Sequence, residues 1–305
     1  MISSRLLMDW LLESLELEAN LFHVGRYCGD WHANTSEITR SSFHLVVQGQ
    51  CWLHVHGQAH PYALSAGDAV FMLRDFKYWL SNSENAQNAQ RFPAIDMVPL
   101  DSGAENGVGL VCGFFHFKTG LSSMIIDGLP DWIILRADEP SVQAARVIFE
   151  LILQECERPS APSSLLLERL SHLLFLYVLR QQIADNHELG GLVALARHPS
   201  FAPLLDQLIK QPQAAWSLDT MATVTGLSRS AFFKRFTDLA HQSPGQVLLA
   251  LRIRHACQLL KSNHTVEAVC PAVGYQSISA FTRAFVKSVG MQPGAFRKKH
   301  QASER

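Results

Sequence analysis

The chain has 305 residues, 48% of them apolar and 17% charged, with a formal net charge of −1. That is enough apolar material for about two or three domains with real cores, which excludes a disordered chain. The near-neutral total hides an asymmetry: residues 201–305 hold 13 Lys and Arg against 5 Asp and Glu, whereas residues 1–200 hold 13 against 22. A basic module attracts phosphate and an acidic one stays off it.

The first 20 residues carry Asp9, Glu13, Glu16 and Glu18 and lack a basic start with a small-residue cleavage site, so they do not read as a secretory signal. Residues 4–18 gather Leu6, Leu7, Trp10, Leu11, Leu15 and Leu17 on one side and are predicted to form an amphipathic helix. From 20 to 118, short apolar runs (Phe43–Val47, Cys51–His56, Ala69–Leu73, Gly109–Phe117) alternate with turn signals such as Gln48–Gly49–Gln50 and Ser65–Ala66–Gly67–Asp68. This pattern predicts an antiparallel sheet, buried in two layers or closed as a barrel. Residues 82–91 are polar and predicted to be a loop.

Helix is predicted at Ser141–Glu157, ends in the proline-bearing Arg158–Ser164, and resumes in the leucine-dense Leu165–Ile183. Two such helices after a sheet cover one of its faces or form a dimer seam. Glu168, Arg169 and His172 make the greasiest stretch, Leu165–Leu179, too charged to span a bilayer. A domain boundary is expected between 190 and 202. Beyond it, short helices are predicted at 203–210, 218–224, 229–239, 244–261, 266–272, 277–287 and 293–299. Pro244 and Pro293 stand at helix starts, where a missing donor costs nothing. The six cysteines (28, 51, 112, 156, 257, 270) form no CxxC pair and are expected to be reduced thiols of a cytoplasmic protein.

One pattern occurs twice in this basic region. Its first copy is Gly226–Leu227–Ser228, Phe232, Phe236 and Ser243–Pro244, and its second is Gly274–Tyr275–Gln276–Ser277, Phe281, Phe285 and Gln292–Pro293. The second glycine follows the first by 48 residues and the later landmarks by 49, because the second turn carries one extra residue. In each copy the glycine supplies a turn, Ser228 or Ser277 caps the next helix, and two phenylalanines four apart anchor it. The opposite face carries Arg229, Ser230, Phe233, Lys234 and Thr237 in one copy and Ile278, Ser279, Thr282 and Arg283 in the other. A helix exposed in this way fits the major groove of double-stranded DNA.

Trp216–Phe236, Ser243–Pro244, Leu251–Arg252, Ala256, Leu259–Leu260, Val273–Phe285, Gly290, Pro293–Gly294 and Phe296–Arg297 together resemble the AraC/XylS family of transcription regulators. The resemblance implies an all-α domain over 203–301, with two helix-turn-helix units joined by a long helix and both recognition helices in successive major grooves. It implies base reading by Lys234 and Arg283, with Ser230 and Phe233 beside the first and Ser279 and Thr282 beside the second. It implies phosphate contacts from Arg229 and Arg252. The chain departs from the family pattern at His241, usually glycine, and at Val247 and Leu251, usually aromatic. It departs again at Cys270–Pro271, where proline should kink or shorten a helix.

Phe43–His56, Leu64–Leu73 and Leu110–Phe117 resemble the cupin-type sensing domain of one AraC-like subfamily. That implies an α+β protein with a cupin-like antiparallel β-barrel and helices over 1–195 (β-rich 20–118, helical 141–190), holding an effector or a dimer together. His54 and His56, two apart on a strand, point the same way and with His44 offer three metal-binding nitrogens. Residues 57–61 lack the acidic ligand that cupin enzymes also need, and Tyr78 stands where a later histidine would be. No metal or cofactor is therefore expected. His44, Trp52, His54, His56, Phe71 and Trp79 either wall an effector pocket or pack a core.

The expected protein is a sequence-specific transcription regulator and not an enzyme. It is expected to act as an effector-responsive activator, a homodimer on double-stranded DNA that engages RNA polymerase and no membrane. Two alternatives remain: a cupin-type metalloenzyme fused to a DNA-binding tail, and a non-sensing architectural DNA-binding protein.

Overall fold

The computed structural model describes residues 4–33, 40–93, 95–100, 107–118, 120–139, 143–158, 162–185 and 189–302. The first half runs α1 (Ser4–Glu13), β1 (Leu17–Tyr27), β2 (His32–Ala33), β3 (Ser41–Gln48), β4 (Gln50–Val55), β5 (Tyr62–Ser65), β6 (Ala69–Met72), β7 (Tyr78–Ser81), α2 (Ala86–Ala89), β8 (Val108–Phe117), α3 (Leu121–Ile126) and β9 (Trp132–Leu135). The rest is helical: α4 (Gln143–Cys156), α5 (Ser164–Asp185), α6 (Gly191–Arg197), α7 (Ala202–Lys210), α8 (Leu218–Thr225), α9 (Arg229–Ala240), α10 (Pro244–Lys261), α11 (Val266–Ala272), α12 (Ile278–Val289) and α13 (Pro293–Ala302). Contacts gather the chain into two units: Leu17–His116 with Pro130–Asn186, and Met1–Glu16 with Phe117–Leu129 and His187–Arg305.

The first unit holds a five-stranded sheet, ordered β1-β8-β3-β6-β9, and a four-stranded sheet, ordered β2-β7-β4-β5. Strand alternation sends Val46, Val70, Met72 and Leu110 of the larger sheet into one core with Cys51, Leu53, Val55, Leu64 and Leu80 of the smaller. The other face of the larger sheet meets α5, where Phe175 lies 5.5 Å from Phe71 and 4.8 Å from Phe115 between ring centres. Burial on both faces is why β3 reads as a continuous apolar run rather than an alternating one. At the turn before β6, Asp68 accepts the N–H groups of Ser65 (3.0 Å) and Ala137 (2.9 Å) and pairs with Arg136 (3.0 Å), so it is a structural cap.

The barrel expected from the sequence does not form. Each sheet ends in open edge strands, β1 and β9 in one and β2 and β5 in the other. Strands of two to four residues at β2, β5, β7 and β9 are too short to carry a ladder round a closed surface. The apolar faces are buried instead by stacking the sheets and by the helix α5. Other elements also differ from expectation. The first helix stops at Glu13 and Leu17 already opens β1, while the 82–91 segment contains α2, capped by Asn85. Residues 141–142 and 159–161, which fall in the expected start of one helix and in its proline-bearing end, lie outside the described residues.

In the second unit α1 packs on α6 and α7, and α3 on α6 and α10. Trp10 of α1 lies 4.9 Å beneath the Arg254 guanidinium of α10. The Glu16 carboxylate lies 3.5 Å from both Lys118 and Lys261. Among the described residues no helix is long and apolar enough to cross a membrane.

Candidate nucleic-acid interface

The two copies of the sequence pattern fold by the same local chemistry. At α8 the Ser217 Oγ accepts the Thr220 N–H (3.1 Å) while Thr220 Oγ1 accepts the Ser217 N–H (2.8 Å). At α11 the Thr265 hydroxyl accepts the Ala268 N–H at 3.3 Å. Both helices are followed by a left-handed glycine, Gly226 at φ 70° and Gly274 at φ 82°, a conformation that strains any residue with a Cβ. The next N–H turns back in each, from Leu227 to the Ala222 carbonyl (3.1 Å) and from Tyr275 to the Cys270 carbonyl (3.0 Å). Ser228 and Ser277 then accept the Ala231 and Ala280 N–H groups, each at 3.4 Å, and start α9 and α12. Pro271 stays inside α11, which has 7 residues against 8 in α8.

Phe232 and Phe236 of α9 are fully buried, with Phe236 edge-on to Phe201 at 5.8 Å. Phe281 and Phe285 of α12 are buried with Phe296 and with Ile253, Ala256 and Leu260 of α10. The faces opposite these anchors stay in solvent. Arg229, Ser230, Phe233, Lys234 and Arg235 are exposed on α9, and Ile278, Ser279, Arg283 and Lys287 on α12, with Thr282 half-buried. The offset of 49 residues superposes the candidate readers in pairs: Ser230 with Ser279, Phe233 with Thr282, Lys234 with Arg283. Lys287, four residues after Arg283, extends the second basic face, and the sequence signal for it was only its helical spacing; Arg235 is exposed on another side of α9.

The two expected phosphate contacts have different surroundings. Arg229 is open to solvent and pairs with Asp219 at 3.3 Å, an exposed pair of little energetic consequence. Arg252 is half-buried: its Nε donates to the Pro212 carbonyl (2.8 Å), its Nη2 to the Ala214 carbonyl (3.0 Å), and its guanidinium lies 5.8 Å from the Tyr275 ring. Burial pulls its pKa down, while Tyr275 works in the other direction. His241, in the usual glycine position, adopts φ 54° at the end of α9, where the second copy has Gly290 at φ 79°.

The six candidate effector residues do not surround one cavity. His44 is buried between the sheets, in hydrogen-bond contact with Cys112 Sγ (3.1 Å) and Tyr78 Oη (2.9 Å), and Tyr78 also reaches Ser42 Oγ (2.8 Å). Phe71 lies on the opposite face of that sheet, against Phe175. His54 stacks on Trp79 (5.1 Å, 4°) and contacts Ser81 Oγ (3.1 Å) and the Ser83 carbonyl (2.9 Å), with Trp52 two residues back on its strand. His56 follows β4 and is exposed. Among the described residues no three His, Cys, Asp or Glu side chains converge to hold a metal ion. A recess in this unit, about 210 Å³, is lined by Val47, Gln48, Leu100, Leu153 and Cys156 with two charged neighbours.

Family models agree with this layout. Residues 7–184 match the cupin family and residues 221–299 a helix-turn-helix domain. The regulator MtrA of Neisseria gonorrhoeae is 27% identical over 84% of this chain and 85% of its own. The activator RclR of Escherichia coli, described as specific for RCS, is 23% identical over 96% of this chain and 98% of its own. The DNA-binding domain of AdpA, solved with a target DNA, is 26% identical over 33% of this chain and 93% of that one, with a TM-score of 0.33. With a cupin model over more than half its length and the paired helix-turn-helix units behind it, the chain belongs to the AraC/XylS-type transcriptional regulators, sequence-specific DNA-binding proteins, and carries an N-terminal cupin-like domain.

Proposed function

We propose that the protein is a cytoplasmic, effector-responsive activator that binds its operator as a homodimer, with residues 203–301 reading DNA and residues 1–195 sensing and dimerising. The recognition helices α9 and α12 enter successive major grooves. Lys234 and Arg283 read bases, flanked by Ser230 and Phe233 in one groove and by Ser279 and Thr282 in the other, while Arg229 holds a phosphate. The observation that carries this reading is the matched exposure of these residues on two helices whose phenylalanines are wholly buried. The word activator in the name of the Escherichia coli relative supports the sign of regulation, and an activator on its operator meets RNA polymerase.

The test is selection of bound duplexes from a random library by the full chain, followed by mobility shifts at two salt concentrations. The expected product is a two-part site with its parts about one helical turn, or 10 base pairs, apart and a steep loss of affinity with salt. Equal affinity for selected and scrambled duplexes overturns the proposal.

A further inference from the structure

Both helix-turn-helix units pack on α10, an 18-residue helix. Such a rod fixes how far apart the units stand along its axis, about 1.5 Å per residue. Their rotation about the rod needs a contact away from the axis. Arg252, midway along α10, makes that contact. Its two bonded carbonyls, Pro212 and Ala214, belong to the loop that leads into Ser217, the cap of α8. Trp216 holds this loop closed by donating its indole N–H to the Gln211 carbonyl at 2.9 Å. The face of the same guanidinium meets Tyr275, in the turn that leads into α12. Gly274 completes the junction, because a Cβ there would stand 2.8 Å from both Arg252 Nη2 and the Gln213 carbonyl.

We propose that Arg252 is a positioning residue: it pins the entry loop of the first unit to the turn of the second, fixes their rotation about α10, and so makes rigid the spacing at which the two recognition helices read DNA. The role rests on the reading that both helices contact bases. It calls for arginine. The planar fork aims two donors at two fixed carbonyls while presenting a flat cationic face to an aromatic ring, whereas lysine offers one hydrated point charge. The donors spent on carbonyls are not offered to a phosphate, which separates this role from simple backbone attraction. Base pairs are spaced about 3.4 Å apart, so a pinned pair of reading heads cannot keep both sets of contacts when one base pair is added between them.

The experiment uses the full chain, Arg252→Lys and Arg252→Gln, with the wild-type-selected duplex and its derivatives carrying one base pair more or less between the two parts. The wild type should lose about tenfold or more on either derivative, the equivalent of at least one good base contact. Both variants should bind the parent duplex more weakly, lose most of that penalty, and keep the base preferences within each part. A variant that retains the wild-type penalty overturns the proposal. So does a uniform loss on every duplex with a salt slope lower by about one, the signature of a phosphate contact. If the substitutions prevent folding, inserting two glycines between Gln213 and Ala214 releases the pin from the loop side; an unchanged spacing penalty there also overturns it. A wild type that enriches no two-part site defeats the DNA-reading proposal itself, before any variant is measured.

Discussion

Phe233 and Ile278 are 43% and 47% exposed on reading faces that are otherwise polar. An apolar side chain left in water on such a face is suited to a thymine methyl, which only the major groove presents. The exposed heads beside them give a direct prediction. Lys234→Ala and Arg283→Ala should each weaken binding to the selected site by about 1–3 kcal/mol more than to random DNA, read as the ratio of the two affinities. Equal losses on both duplexes would remove the base-reading role. At the other extreme of burial, the His44 imidazole is held down at about 4 by desolvation, below its ordinary 6.5. The folded state therefore keeps it neutral beside Cys112 and Tyr78. Its contribution to stability is complete above about pH 6.5 and is lost as pH falls toward 4, because the unfolded chain takes up a proton that the folded chain refuses. The urea midpoint should drop between about pH 7.5 and pH 5 in the wild type and drop less in His44→Met; equal drops would place the acid sensitivity elsewhere.

Helices of the basic region were legible almost to the residue because most of their starts are written in side-chain chemistry: Ser217, Ser228, Ser243, Thr265 and Ser277 cap, and Gly226 and Gly290 stop two of the helices. Short strands were not. β5, β7 and β9 have four residues each and carry no period that a helix end or loop could not also show. The polar residues of β1, LEANLFHVGRY, likewise hid an edge strand whose support comes from α5. Pro271 works against its helix, since it removes a donor inside α11. Pro271→Ala should raise the unfolding temperature, as restoring that bond outweighs an unfolded-state entropy cost of about 0.4–1 kcal/mol. An unchanged or lower temperature in a calorimetric scan would show that the last turn of α11 is already relaxed.

Across the whole molecule the two units hide their apolar residues unequally. α5 buries Leu167, Leu174, Phe175 and Leu179, yet leaves Leu165 62%, Leu166 46%, Leu173 43% and Tyr177 37% exposed; α4 leaves Val147 56% and Leu151 46% exposed. Leu166, Leu173 and Tyr177 follow one another at helical spacing, so they form a row on the side away from the sheet. We propose this row as the seam of the homodimer, which would raise operator affinity through effective concentration. Leu166→Glu with Leu173→Glu should sediment as a monomer with unchanged circular dichroism, because both side chains already face solvent. A variant that stays dimeric, or a wild type that is monomeric at micromolar concentration, would exclude the seam.

What the sequence determined by itself was the DNA-reading half and the family, for a physical reason: turns, caps and the Phe232/Phe236 and Phe281/Phe285 anchors are local, and local chemistry repeats visibly at 48 and 49 residues. What the tertiary structure decided was everything set by contacts between distant residues. It left the sheets open, because stacking and α5 already bury their faces. It separated His44, His54 and Phe71, because side chains on different faces and different sheets cannot converge, however near they stand in sequence. It also turned Arg252 inward, onto carbonyls some 40 positions earlier, a partnership that no local pattern in the chain announces.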